Sequence, residues 1–360
     1  MTPKLLILCI DAFGPDYLEG SDTPAMDRMI QEGCFAVGRS VIPSVTNVNN
    51  VSIITGAPPR AHGITANCFL DESNGEENYM ESPELLCCPT VLQRAKAKGL
   101  STALLTSKKK LLRLLKVGTD YALAAEEPDA ETVAALGPAP HIYSGEINVW
   151  LFKALRRILN EHNPEVVYFA TTDYMMHKHV PDSEESRQHI HALDAVLGEI
   201  LDDHPDLEIH LTADHGMSPK TRGIDVARVL RRQGIAARML PIIKDRYVAH
   251  HQNLGGACYV YLDRKDQLAD ALAILGETPG VEETYAREEA AAVFDLMARR
   301  IGDIMILGDR ETVFGEFESE TVCVNIRSHG SRYESHVPII RRKPGALTDN
   351  DPNWRTPALP

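Results

Sequence analysis

Short apolar runs alternate along this chain with stretches of helical period, and that alternation predicts the fold before any chemistry is considered. Buried strands are predicted at 5–10, 101–106, 166–171 and 209–212, where apolar and β-branched residues follow one another without a polar face. Helical periodicity is predicted ahead of the last three, at 91–98, 150–160 and 185–201. A further helix opens at Thr23-Pro24, with Thr as cap, Pro at the first position and Gly33 beyond its end. Repeated helix-then-strand units imply an α/β fold with a mostly parallel central sheet flanked by helices. In such sheets ligands collect at the carboxyl ends of the strands.

After Gly216 the texture changes. A helix is predicted at 225–234, strands at 257–262 and 303–307, and helices at 267–275 and 288–293. Residues 220–320 are therefore expected to form a small inserted α+β cap domain, with 1–219 and 321–360 as the core. The run 321–326 is expected to return to the main sheet. From Arg341 onward, with Pro344, Pro352, Pro357 and Pro360, an extended tail is expected.

Composition narrows the function classes. With 360 residues the chain can bury a large core. Aromatic content of 6% gives little material for base-stacking platforms, and a net charge of −14 argues against binding a phosphate backbone. No nucleic-acid partner is expected. The apolar N-terminal run is too short for a signal peptide or a membrane span, and no other stretch approaches that length, so no membrane association is expected. Seven cysteines, an odd number without paired spacing, predict reduced thiols and a cytoplasmic location. No CxxC pair exists to hold zinc.

The chemistry lies at the strand ends. The first strand runs into Asp11, the third into Asp173 with His177 four residues on, the fourth into Asp214-His215, and the returning run into His329. Singly, each has a plain reading: an Asp there caps a helix or forms a turn, and Asp173 and His177 are neighbours on one helical turn. Together, three carboxylates and three imidazoles on one sheet edge are ligands suited to two zinc or manganese ions. Thr46 sits where a polar loop enters a short helix. It is either an N-cap or a nucleophile favoured by the helix dipole. Lys108, Lys109 and Lys110 follow the second strand. A solvated helix start explains Lys109, while Lys108 and Lys110 are candidates to hold an anionic group.

These stretches — CIDAFGPDYL, TPAMDRMIQEG, PSVTNVNNVSIITGAPPRAHGI, TTDYMMHKH, TADHGM and SHG — resemble the alkaline phosphatase superfamily, in its nucleotide pyrophosphatase/phosphodiesterase branch. Within that branch the sequence is most similar to the phosphonoacetate hydrolases, through Thr-Asn-x-Asn-Asn, HGITANCF and TSKKKLLRLL. The resemblance implies an alkaline-phosphatase-like sandwich. It implies that Asp11, Thr46, Asp214 and His215 bind one Zn2+, and Asp173, His177 and His329 a second, with Mn2+ or Fe2+ as substitutes. It gives Asn67 the phosphoryl oxygens, and Lys108 and Lys110 the phosphonate and carboxylate of a small anionic phosphonate. His179 and His336 are read as bystanders. The chain is short for this branch, so a reduced insertion over the site is expected. The expected reaction cleaves the C–P bond of phosphonoacetate through a phosphothreonine. The rivals are a phosphodiesterase, nucleotide pyrophosphatase or phosphomonoesterase on the same metals, and a metal-stabilised binding protein. A homodimer is allowed.

Overall fold

A computed structural model describes residues 4–343. A seven-stranded sheet lies at the centre, in the order Gly33–Arg39, His336–Arg342, Glu208–Thr212, Leu5–Cys9, Val166–Ala170, Thr102–Thr106, Tyr121–Ala124. The last five run parallel; His336–Arg342 adds antiparallel at one edge, and Gly33–Arg39 pairs antiparallel with it in turn. The four inner parallel strands are buried at every residue, which is why they read as continuous apolar runs.

Alternate residues of the first strand feed opposite layers. Leu6 and Leu8 pack with Leu151, Leu155, Leu193 and Leu197 of the long helices Glu146–Glu161 and Glu184–Asp203. Leu5, Ile7 and Cys9 pack with Val48, Val51 and Ile54 of the helix Thr46–Thr55 and with Val91 and Leu92 of the helix Val91–Ala97. The helix Pro24–Gln31 begins as predicted, but Thr23 makes no side-chain cap. Instead the buried carboxylate of Asp194 accepts from Ala25 N (2.8 Å) and Met26 N (2.9 Å), so the cap comes from a neighbouring helix.

Besides the hairpin Cys68–Asp71/Glu76–Tyr79, two smaller sheets follow Glu208–Thr212 in sequence. Strands Ala237–Pro241, Ala257–Leu262, Ile304–Gly308 and Val281–Ala286 form an antiparallel sheet in that order. Thr312–Phe314, Ser218–Ile224 and Thr321–Ser328 form the other. This corrects one expectation: the run 321–326 is a strand but does not return to the main sheet, because it pairs with Ser218–Ile224. The strand that does return is His336–Arg342, so Arg341 and Arg342 end a strand and do not begin a tail. The remainder of the expected tail lies outside the described residues. Among the described residues no helix is long and apolar enough to cross a membrane.

Candidate active site

Register brings the chemistry together. Cys9 is paired with both Ala170 and Thr212, and Thr106 with Ala170. Asp11, Asp173, Asp214 and Lys108 therefore leave four neighbouring strands at nearly the same height. The loop after Thr321–Ser328 adds His329. All five are buried.

The ligand atoms of Asp11, Asp214 and His215 lie within 4.8 Å of one another, as do those of Asp173, His215 and His329. A third such group is Asp173, His177 and His250. Asp173 is central: its oxygens lie 3.0 Å from His177 Nε2, 3.7 Å from His329 Nε2, 3.3 Å from His250 Nε2 and 2.9 Å from Lys108 Nζ. The six expected Asp and His residues are thus in one cluster. His250, on the short helix Val248–His251, was not anticipated from the sequence. His179 lies to the side, with its ring near Glu185, and His336 is exposed at a strand start.

Tautomers decide what these rings offer. His177 Nδ1 lies 2.7 Å from Arg327 O, His215 Nδ1 2.9 Å from Gly216 O, and His329 Nδ1 2.8 Å from Ser44 O. A carbonyl only accepts, so each Nδ1 carries a hydrogen, and Nε2, turned toward the carboxylates, is the atom that can give a lone pair to a cation. Lone pairs facing carboxylate oxygens repel unless a cation lies between them. Both oxygens of Asp11 are buried without a hydrogen bond. Such a donor set, its rings fixed from behind by backbone carbonyls, fits divalent metal ions.

The electrostatics follow. Burial, then Asp173 and Asp214, pushes the Asp11 carboxyl well above its usual range. Burial acts the same way on Asp173, but the Lys108 ammonium beside it outweighs that and holds the carboxyl well below. Burial and the stacked ring of His215, 3.6 Å between centroids, keep His329 neutral. Burial takes His250 down to about 3.

Thr46 is the first residue of its helix, after Val45 at the cap position. Its side chain caps nothing, and its hydroxyl lies 3.3 Å from His215 Nε2. The cap reading is thereby removed. Three buried asparagines fix this helix. Asn47 donates to Met80 O (2.9 Å), Asn49 accepts from Val41 N (2.8 Å), and Asn50 donates to Asp214 Oδ2 (2.9 Å). Gly56 ends the helix at φ 65°, a left-handed conformation that suits glycine.

The other expected residues occupy a second ring. Lys108 is the cap residue of the helix Lys109–Leu115 and faces Asp173 and Asp11. Lys110 pairs with Asp245, and Lys109 points outward near Glu127. Asn67 Nδ2 donates to Ile243 O (3.1 Å) and Asp245 Oδ2 (3.3 Å), while its Oδ1 is buried without a partner.

A parallel sheet whose carboxyl edge gathers Asp, His and a helix-starting Thr defines the alkaline phosphatase superfamily. The chain belongs to its type I phosphodiesterase / nucleotide pyrophosphatase family, whose sequence profile matches residues 5–332. It is similar in structure to phosphonoacetate hydrolase from Sinorhizobium meliloti 1021, solved in complex with phosphonoformate and with phosphonoacetate. The TM-score is 0.86 and the identity 33%, covering 99% of this chain and 93% of that one. Murine ectonucleotide pyrophosphatase/phosphodiesterase 5 shares the fold at TM-score 0.70 and 17% identity, over 95% of this chain and 88% of that one. In sequence, the mouse bis(5'-adenosyl)-triphosphatase enpp4 is 26% identical over 247 residues, 62% of this chain and 50% of that protein. The chain spans about half the length of the curated relatives it matches.

Proposed function

We propose that this protein hydrolyses phosphonoacetate to acetate and phosphate. The observation that carries the proposal is Lys108, a buried ammonium 2.9 Å from Asp173 at the wall of the Asp/His cluster. A cation there suits a second anionic group beside the phosphoryl group. The likeness to the Sinorhizobium enzyme supports the same reading.

Asp11, Thr46, Asp214 and His215 would hold one zinc ion, and Asp173, His177 and His329 the other, with manganese or iron as substitutes. When bound, the ions supply Lewis-acid neutralisation of phosphoryl oxygens and lower the pKa of the attacking hydroxyl. Thr46 Oγ1 attacks phosphorus from a helix N-terminus, where the dipole favours negative charge. The C–P bond breaks and its electron pair goes to the methylene carbon, spreading into the adjacent carboxylate. Lys108 holds that carboxylate as charge develops. The carbon takes a proton from water to give acetate, and the hydroxide left takes the proton that the Thr46 hydroxyl gives up on attack. Water then attacks phosphorus of the phosphothreonine, releasing phosphate and restoring the Thr46 hydroxyl. Asn67 offers polarity without net charge.

The family and the mouse relative favour a second reading, phosphodiester or nucleotide pyrophosphate hydrolysis at the same site. One assay separates the two. Zinc-loaded protein is expected to release phosphate from phosphonoacetate, and Thr46→Ala to abolish it. If phosphonoacetate stays inert while a nitrophenyl nucleotide ester turns over rapidly, the second reading replaces the first.

A further inference from the structure

Beyond Lys108 the cluster is closed by residues 242–254, which link the strands Ala237–Pro241 and Ala257–Leu262. Asp245, only 3% exposed, anchors this strap. Its Oδ1 accepts from Tyr247 N (2.7 Å) and His251 Nε2 (2.8 Å), and its Oδ2 from Lys110 Nζ and Asn67 Nδ2 (3.3 Å). Four donors fill the lone-pair positions of one carboxylate. His251 Nδ1 accepts from Asn253 N (3.0 Å), which leaves Nε2 as the hydrogen donor to Asp245.

The anchor places Tyr247. Its ring lies 5.8 Å from Lys108 Nζ and 5.4 Å from Lys110 Nζ, so both ammonium groups approach it. Its hydroxyl donates to Glu126 Oε2 (2.6 Å), and that oxygen also accepts from Lys109 N (2.9 Å). The ring is therefore held from both ends. An anion held by Lys108 would lie beside the Tyr247 ring, while Lys110 is already paired with Asp245.

We infer that Tyr247, held by Asp245 and Glu126, is a length stop: it admits a second anionic group close to phosphorus and rejects a longer acid or a nucleoside. The inference rests on the proposed function, which places phosphorus at Thr46 and the second anion at Lys108. It assigns substrate selection to a residue that is neither one of the clustered Asp and His residues nor Thr46.

The test is calorimetric binding to zinc-loaded protein in a Thr46→Ala background, where turnover does not interfere. The probes are phosphonoacetate, 3-phosphonopropionate and 4-phosphonobutyrate. With Tyr247 present, phosphonoacetate should bind about tenfold or more tightly than the longer acids. In Tyr247→Ala that ratio should fall to within about threefold, through tighter binding of the longer acids. Tyr247→Phe, which keeps the ring, should retain the preference, and Tyr247→Leu provides a second truncation should the alanine variant unfold. A ratio unchanged in both truncations, or equal weakening of all three probes, overturns the stop. Phosphonoacetate turnover by the unmodified protein is scored separately. A length preference that collapses on truncation while phosphonoacetate is not hydrolysed keeps the stop and removes the proposed reaction. Turnover with an unchanged ratio does the reverse.

Discussion

Removing one charge from the buried pair Glu334–Lys220 should cost more than removing both. Glu334 is 1% exposed and Lys220 fully buried. The carboxylate accepts from Lys220 Nζ (2.9 Å), Ser331 N (3.0 Å), Ser331 Oγ (2.7 Å) and Ser218 Oγ, and Lys220 also donates to Arg310 O (3.0 Å). Glu334→Gln leaves an ammonium in the interior with a carbonyl for company. Breaking a buried pair in this way costs about 3–5 kcal/mol. Glu334→Gln with Lys220→Met removes both charges and keeps an acceptor for Ser331, so the double variant should lose only about 1–2 kcal/mol. Urea unfolding of the wild type, both single variants and the double variant gives the coupling directly. A cost below about 1 kcal/mol for Glu334→Gln, or a double variant as unstable as the singles summed, refutes the reasoning.

The same pair should report on the site. Ser331 O accepts from Ser44 Oγ (2.7 Å), and Ser44 O accepts from His329 Nδ1, so a loosened 331–334 turn frees the His329 ring. Burial pushes the Glu334 carboxyl up, but Lys220, then the hydroxyls of Ser218 and Ser331, bring it below its ordinary value. A depressed carboxyl stabilises the fold above the ordinary Glu range, and that stability is lost as pH falls through and below it. Glu334→Gln should therefore flatten the acid limb of the stability curve.

His62, fully buried, donates from Nε2 to Ser52 Oγ (2.9 Å) and accepts at Nδ1 from Ile64 N (3.1 Å), and burial takes its pKa down to about 3. The unfolded chain takes up a proton below the ordinary value of 6.5 and the folded one does not. Stability should fall by roughly 2 kcal/mol between pH 7 and pH 5, and His62→Gln should show a smaller fall in urea titrations at the two pH values. Asp194→Ala removes the cap of the helix Pro24–Gln31 and should cost about 1–2 kcal/mol in the same assay, with zinc content unchanged. Elemental analysis should find about two metal ions per chain, His329→Ala should retain about one, and a chelator should lower Tm in proportion to the metal removed.

The cluster was legible because its signal is local. Each parallel strand is an apolar run, and the first polar residue past its end reaches the same edge once the register is even. Thr321–Ser328 misled for the opposite reason. Thr321, Cys323 and Asn325 are exposed in alternation with half-buried residues, the signature of a one-faced antiparallel strand and not of a buried parallel one. His336–Arg342 was hidden by Pro338 and its two terminal arginines. Pro338 is tolerated because it pairs with Val37 alone, ahead of the stretch that meets Glu208–Thr212. Arg342 is buried, paired with Glu32 and donating to Leu207 O (3.1 Å) and Pro205 O (2.9 Å). Asp245, Tyr247 and His250 lie on a segment without periodicity, so nothing but the adjacent His250-His251 pair marks it in the sequence.

Three lysines in a row separate by backbone geometry. Lys108, at φ −95° and ψ 130°, is still extended and enters the cluster; Lys109 turns outward; Lys110, inside the helix, reaches the strap. Of the three, only Lys108 therefore faces the buried carboxylates of Asp11, Asp173 and Asp214, so carboxylates outnumber lysines at the cluster. Buried charge in excess is costly, and the raised carboxyl of Asp11 is its direct expression. Two divalent ions, as the proposed function requires, would supply positive charge against these carboxylates. The excess of carboxylate at the cluster thus favours bound cations, as do the Nε2 atoms of His177, His215 and His329 that face it.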